Sequence, residues 1–382
     1  MPKPCEGGDC VPGTSSLAYD SECQDVATWL TGTITHMAQT PEIVVAGQGL
    51  LSAGGDVQTW VGRVTESGAL DWELILPELG PVVGLFSTAE GLSVMQAVGA
   101  DAVLHRVSAS GSLLKSTTLS TIDDEDYLVT AATGSREQVI VGGVDNEDFW
   151  LGQVTADGVI EQLLVEDYLG FADIVTNIIA TDKHIIATVL AGTSPGNVGG
   201  DNLVRETTDA VVIFYDLSFN EITREIITHP GELIGTLPTT TTLLADGSVV
   251  VGGYSTLSSE NDDWSAWAAR VSASEGKLWE SDWDGPEDPT TPHRLATIES
   301  VVELETGELM LGGRQSTSDA IQRWQLIVDA DTGTVESEAL GGPVKSFDSY
   351  VASAPLGGGS WVAGATMHDD DSVQWLCEFS AK

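Results

Sequence analysis

Positive charge is scarce in this chain: 15 Lys and Arg stand against 58 Asp and Glu in 382 residues, a formal net charge of −43. That balance excludes proteins that grip nucleic acid through phosphate contacts and counterion release, which need clustered Lys and Arg. It also argues against anionic membrane surfaces. Long apolar runs are missing, with nothing near the roughly 18 residues that span a bilayer. The opening residues MPKPCEGGDCVPGTSS lack the apolar core of a signal peptide, so the chain reads as cytosolic or as a mature form whose leader has been removed. Histidine is sparse and scattered (His36, His105, His184, His229, His293, His368), with no pair at metal-ligand spacing. P-loop and HExxH signatures are absent.

Cysteine is also rare. The four are Cys5, Cys10, Cys23 and Cys377. No CxxC or paired histidine accompanies them, which argues against zinc. Four free thiols is one reading. The other is an oxidised, exported chain, in which Cys5 and Cys10 close a small loop across a Gly-Gly turn and Cys23 meets Cys377.

What is present speaks for strands. Apolar residues make up 42% of the chain, enough for a substantial core, and glycine is frequent at 42 residues. Val, Thr and Ser abound without any long 3.6-residue periodicity, which favours strands and turns over helices. A unit recurs along the chain, clearest at GSVVVGGYSTLSSENDDWSAWAARVSASEGKLW, from Gly247 to Trp279. Its β-branched run ends in a glycine pair, an acidic loop follows, and a Trp-led strand then turns at a glycine. Aligned on the second glycine, the units fall at Gly47, Gly99, Gly143, Val189, Gly253, Gly313 and Gly364. The Trp-led strand has Trp60, Val103, Trp150, Val211, Trp267, Trp324 and Trp375 at its head. Turns at Gly68, Gly111, Gly158, Gly276 and Gly333 suit the left-handed position of a hairpin.

Intervals of 44 to 64 residues match one propeller blade. Small polar runs such as LVTAATG and TTTTLLA suit the crowded strands nearest an axis. The expected fold is therefore all-β: a seven-bladed β-propeller of four-stranded antiparallel blades. Such sheets are too small to bury both faces alone and must pack on their neighbours. The repeated Trp fills the seams in this picture, each burying up to about 4–6 kcal/mol of apolar surface as an upper bound. The last unit stops soon after Trp375 without a return strand, and SSLAYDSECQDVATW precedes the first unit. Pairing that N-terminal segment with the C-terminal blade closes the ring and brings Cys23 and Cys377 onto adjacent strands, within disulfide reach. No composition break divides residues 18–382, which read as one propeller domain behind an irregular arm of residues 1–17.

The units GGVDNEDFWLGQV, GGYSTLSSENDDWSAWAARV and GQGLLSAGGDVQTWVGRV resemble the propeller repeats of secreted bacterial proteins and, more distantly, kelch repeats. The resemblance covers about five of the seven units; the fourth and part of the second depart from it. It implies a fold far more than an activity.

Three loop sets are candidate sites. Acidic loops place Asp145, Glu147 and Asp148, then Glu260, Asp262 and Asp263, then Asp369, Asp370 and Asp371 on one face. With Asn146 or Asn261 they offer the hard oxygens that Ca²⁺ takes, though at no EF-hand spacing, and a solvated charged rim is the other reading. The long fourth-unit loop, Leu190 to Thr208, carries Asp201, Asn202 and Arg205. The connection ESDWDGPEDPTTPHRLA presents Trp283, His293 and Arg294 among three prolines. These two loops flank one blade and form the expected ligand site, against simple cover of the channel mouth.

No catalytic residue is assigned and no cofactor beyond Ca²⁺ is expected. The expected role is a non-catalytic scaffold, secreted or on the cell surface, whose partner is a protein or a carbohydrate. A hydrolase or lyase with its site at the channel mouth is one alternative; a self-assembling subunit, a homo-oligomer, is the other. Nucleic acid and membrane insertion are excluded.

Overall fold

Val, Ile and Thr are stiff at χ1 and pack well on a pleated surface. In the computed structural model the β-branched runs are indeed strands, each the second of a four-stranded antiparallel sheet. The structure describes residues 19–25, 31–39, 43–50, 56–65, 70–88, 91–99, 101–121, 128–134, 138–145, 147–168, 170–192, 208–228, 235–256, 264–283, 296–304, 306–317, 320–341, 347–356, 360–367 and 375–381.

Strand β1 (Tyr19–Asp25) comes first. β2 (Thr31–Gln39), β3 (Ile43–Leu50), β4 (Val57–Val64) and β5 (Leu70–Ile75) make the first meander. β6 (Val82–Thr88), β7 (Gly91–Val98), β8 (Asp101–Val107) and β9 (Leu113–Thr118) make the second. After the two-residue β10 (Ser120–Thr121) follow β11 (Leu128–Gly134), β12 (Val139–Asp145), β13 (Asp148–Val154) and β14 (Val159–Glu166). The fourth meander holds β15 (Asp173–Ala180), β16 (Ile185–Gly192), β17 (Thr208–Tyr215) and β18 (Glu221–Ile227), and a single parallel pair, Thr208 with Gly235, joins it to the next meander in one 8-stranded sheet. The fifth holds β19 (Gly235–Leu243), β20 (Val249–Thr256), β21 (Trp264–Ser272) and β22 (Gly276–Trp283). β23 (Ala296–Glu303), β24 (Glu308–Thr317), β25 (Ala320–Asp329) and β26 (Val335–Gly341) form the sixth. In the last meander, β27 (Phe347–Leu356), β28 (Ser360–Met367) and β29 (Trp375–Ala381) are joined by β1, and the parallel pair Ile321 with Phe347 links it to the sixth in one 8-stranded sheet. β1 runs antiparallel to β29 from Tyr19 opposite Ala381 to Asp25 opposite Trp375, with Cys23 opposite Cys377.

Successive sheets meet along their first strands. β2 lies beside β6, β6 beside β11, β11 beside β15, β15 beside β19, β19 beside β23, β23 beside β27, and β27 beside β2. Apolar side chains fill the described seams. Trp150 lies between the second and third sheets, Trp267 between the fourth and fifth, and Trp324 between the fifth and sixth. With Trp60, these rings are at most 1% exposed, as the repeat pattern implies for a packing residue.

The glycine pair has a steric cause at each of its two positions. A Cβ on Gly142 or Gly252 would lie 2.8 or 2.6 Å from Ile178 or Ile298 of the next sheet's first strand. A Cβ on Gly143, Gly253 or Gly313 would lie 1.8, 2.0 or 1.8 Å from a carbonyl oxygen of its own first strand. The first glycine therefore admits the neighbouring sheet, and the second admits the bulged strand beside it.

The register moves two alignment points. Gly47, Gly143, Val189, Gly253 and Gly313 stand opposite Trp60, Trp150, Val211, Trp267 and Trp324, as aligned. Opposite Val103 stands Gln96, while Gly99 is a turn residue with φ +63°. Gly364 faces Leu376, one residue past Trp375. Both shifts follow from aligning on glycine where those units lack the pair.

The hairpin glycines carry a second duty. Gly111, Gly158, Gly276 and Gly333 have φ between +68° and +87°, as a left-handed turn requires, and Gly68 lies outside the described residues. Phe219 occupies the same place in the fourth sheet at φ +62°. Its turn is closed by Asp216, which accepts from the backbone N–H of Ser218 and Asn220. Gly111 and Gly333 also lie flat against the indoles of Trp72 and Trp279 in the preceding sheet, where a Cβ would come within 2.5 and 2.7 Å.

Around those contacts the repeat builds a clasp between sheets. Trp279 Nε1 and Arg270 Nη1 both donate to the Ala330 carbonyl, at 2.7 and 2.6 Å. Trp72 Nε1 and Arg63 Nη1 do the same to the Ala109 carbonyl, at 3.2 and 3.0 Å. In the less regular fourth sheet Thr223 takes the Trp place and donates to the Ala273 carbonyl at 2.7 Å. The Arg and the final Trp of the repeat are thus inter-sheet fasteners.

Candidate functional site: the axial cavity and the rim above it

Six first strands each carry a β-bulge, and the residues at the bulges are Thr35, Val83, Thr130, Thr176, Thr239 and Glu299. A bulge turns its extra residue out of the ladder. All six line one open cavity of about 430 Å³ between the first strands.

Threonine suits this position because its hydroxyl reaches a main-chain carbonyl, at two of the bulges one on the next sheet. Thr130 donates to the Val175 carbonyl at 2.5 Å, and Thr239 donates to the Ile298 carbonyl, each on the next sheet. Thr176 donates to the Thr188 carbonyl on its neighbouring strand at 3.1 Å. Each hydroxyl has one hydrogen, so these three offer the cavity only lone pairs.

Glu299 breaks the pattern. Its Oε1 accepts from Arg314 Nε at 2.9 Å and from Thr297 Oγ1 at 3.2 Å. Its Oε2 is buried and has no hydrogen-bond partner. Burial pushes the carboxyl up to about 7, against the opposing pull of Arg314 and Thr297. His36, on the same wall, has Nδ1 3.1 Å from Thr35 Oγ1, and burial pulls its pKa down to about 4. Its imidazole is therefore neutral at ordinary pH.

A second polar group lies at the rim shared by the fifth and sixth sheets. Tyr254 stacks on Trp264 with centroids 4.5 Å apart. Trp264 Nε1, Thr256 Oγ1 and Gln315 Oε1 are buried without partners. Thr256 and Trp264 are paired at the ends of β20 and β21, and Gln315 sits near the end of β24 opposite Ala296. The connections 257–263 and 284–295 leave from these strand ends.

At the third and fourth sheets one buried carboxylate organises the same rim. Asp173 is wholly buried and accepts from the backbone N–H of Tyr168 at 2.6 Å and of Gly192 at 3.1 Å. It thereby fixes Gly192, where the connection 193–207 begins. Desolvation raises its pKa to about 7 despite those two bonds, with Asp167 and Asp148 adding to the rise. A carboxyl raised from 3.8 to about 7 stabilises the fold fully below its unfolded value and loses that contribution as pH climbs through 7. Acidification from about pH 8 to about pH 5 is therefore expected to raise the melting temperature: Glu299, also raised to about 7, and relief of the −43 self-repulsion act in the same direction, and together they outweigh His36, whose lowered pKa opposes them below about pH 6.5. Asp173→Asn should flatten part of that rise in thermal melts. An undiminished rise in the variant would remove Asp173 from the effect.

The sequence-derived sites fare unevenly. Trp283 does not stand on an exposed loop: it is the last residue of β22, opposite Ala266, half-buried against the core between the fifth and sixth sheets. Its period-2 place in the strand carries it inward, and the proline-rich connection begins only after it. His293 and Arg294, and likewise Asp201, Asn202 and Arg205, lie outside the described residues, as do Asp262, Asp263, Asp369, Asp370, Asp371, Cys5 and Cys10. Asp145, Glu147 and Asp148 sit at the hairpin joining β12 and β13, where Asp145 is opposite Asp148 and the Glu147 carbonyl accepts from Asp173 N–H. Among the described residues no three His, Cys, Asp or Glu side chains converge as a metal site. Gly192-Thr193-Ser194-Pro195-Gly196 matches the letters of a nucleophile elbow. It begins at the end of a β-strand in an all-β chain, and its residues from 193 lie outside the described residues. Sequence reasoning missed Glu299 and the rim group. The available signal for Glu299 was an acid where four other units place threonine.

No family model matches the chain, and no curated protein matches it. Among solved structures it is similar to the WD40 domain of Neurospora crassa Pan2, at a TM-score of 0.56 and 9% identity, over 96% of this chain and 97% of that one. Repeated four-stranded antiparallel sheets and this likeness define the class: a β-propeller repeat protein.

Proposed function

We propose that this chain is a non-catalytic binding scaffold: an exported, seven-bladed propeller that takes a protein partner on the rim of its fifth and sixth blades. The rim group carries this reading. Trp264 Nε1, Thr256 Oγ1 and Gln315 Oε1 are buried without partners at or near the strand ends of this rim, and Trp264 is stacked on Tyr254. Buried polar atoms left unpaired cost about 1–3 kcal/mol each, a cost that a bound peptide group or ordered water removes. The fold likeness to a WD40 domain is consistent with a protein-interaction role. Binding of the full chain to a peptide array and a glycan array tests the reading. The expected result is a set of peptide signals that Trp264→Ala abolishes; glycan signals alone would turn the assignment towards carbohydrate, and signals unchanged in the variant would remove this rim from the site.

The circular adjacency of first strands and the β1–β29 pairing support ring closure. Cys23 and Cys377 face each other across that pairing, and directly opposed Cα atoms in antiparallel strands lie about 4.5–5.5 Å apart, inside the disulfide range. Non-reducing peptide mapping is expected to recover Cys23 joined to Cys377. Recovery of Cys23 as a free thiol, or joined to Cys5 or Cys10, would overturn the covalent lock and weaken the case for an oxidising compartment.

A further inference from the structure

We propose that the axial cavity is a binding site for a small aliphatic amine, held as an ammonium with Glu299 Oε2 as its principal acceptor. The site is distinct from the rim and stands whether or not the rim binds a partner.

Three observations carry it. The first is a mismatch of hydrogen-bonding capacity. Thr130, Thr176 and Thr239 have committed their hydrogens to carbonyls, and Glu299 Oε2 is a buried acceptor without a donor. The wall also carries donors such as Asn177, but at Glu299 and these three threonines the open capacity is lone pairs, and an ammonium brings three N–H groups to them.

The second is the departure of one unit from the repeat. Where four other bulges carry threonine, β23 carries a carboxylate inside the cavity. Packing does not call for it, because threonine at the matching bulges satisfies its own hydroxyl on a main-chain carbonyl. Desolvation disfavours its charged form, and a bound cation reverses that penalty by Coulomb attraction at short range. Arg314 and Thr297 occupy Oε1 only, so Oε2 has no competing donor, and the broad terminal torsion of the carboxyl lets it turn towards a guest.

The third is size and field. A space of about 430 Å³ lies within the range of small-molecule sites and greatly exceeds a bare metal ion. A chain of net charge −43 draws cations towards its openings. His36 on the same wall, held neutral, does not oppose one.

The test uses the full chain with putrescine as the probe, in calorimetry at moderate salt to screen surface charge. Glu299→Thr restores the residue of four other units and changes the net charge by one, so non-specific surface binding should be nearly the same in both proteins. One site per chain is expected in the parent, with affinity at least about tenfold lower in Glu299→Thr, the loss of roughly one charge-assisted hydrogen bond. Glu299→Gln should also weaken it, while D-glucose should not bind. Equal putrescine binding in parent and Glu299→Thr would overturn the proposal in favour of the acidic surface. Glucose binding that depends on Glu299 would replace the amine by a neutral polyol. Ca²⁺ binding that depends on Glu299, without putrescine binding, would make it a metal site. Circular dichroism of each variant, with unchanged spectra and melting cooperativity, separates loss of the site from loss of the fold.

Discussion

Gly313→Ala is expected to destabilise the chain by about 3 kcal/mol or more, among the largest effects of any single methyl group here. A Cβ at this position would lie 1.8 Å from the Thr297 carbonyl oxygen, 2.8 Å from its carbon and 3.1 Å from Ile298 Cα. All three are backbone atoms of β23, so no side-chain rotamer relieves the clash. The first strand would have to retreat, and its bulge carries Glu299. An opposing effect exists: alanine restricts the unfolded chain more than glycine and gains about 0.4–1 kcal/mol where it fits. The clash outweighs that gain. Gly307 supplies the control. It has φ +86°, and a Cβ there would meet nothing within 4 Å, so Gly307→Ala should cost only the left-handed strain of about 1–2 kcal/mol. Urea titrations of both variants decide it: a larger loss at Gly307 than at Gly313 would sink the steric account of the glycine pair.

Arg270→Ala is expected to cost about 2–3 kcal/mol. Truncating one member of a fully buried ion pair costs about 3–5 kcal/mol when its partner is left charged and dry. Here the guanidinium side chain is 9% exposed, but the partners Asp246 and Asp331 are 54% and 90% exposed and regain water. What is lost is the bond to the Ala330 carbonyl at 2.6 Å, the bond to Ser248 Oγ at 3.0 Å and the packing of the stem. Asp331→Ala should be nearly neutral, since an exposed pair contributes about 0–1 kcal/mol. Lysine cannot replace the arginine, because one ammonium does not reach acceptors on both sides of the seam as a planar fork does. Arg270 and Trp279 share one acceptor, so a double-mutant cycle of Arg270→Ala with Trp279→Phe should be non-additive. The matching Arg63 is 22% exposed, and Arg63→Ala should cost less than Arg270→Ala. Equal losses at the two positions would show that burial of the clasp does not set its strength.

These predictions rest on features of unequal visibility in the sequence. The glycine pair and the Trp-led strand stood out by repetition, because each repeats a steric or burial requirement that few other residues meet. Arg270 and Trp279 were visible as letters of the repeat, but their shared target, the Ala330 carbonyl, was not: a main-chain acceptor leaves no mark in composition. Glu299 lay hidden among 58 acidic residues. Only its coincidence with a bulge, established by register, separates it from the solvated majority. Trp283 misled for the opposite reason, since a tryptophan beside prolines looks exposed until strand pairing fixes the face it occupies.

Hydrophobic period, β-branched runs and turn glycines are local properties, and from them the residues alone settled the all-β class, the order of strands and the burial of the repeated tryptophans. Which carbonyls meet which donors across a seam, and which carboxylate faces the cavity rather than water, depend on pairs of residues tens of positions apart. Those were decided only by packing one sheet against the next, where a shift of one residue turns every side chain to the other face.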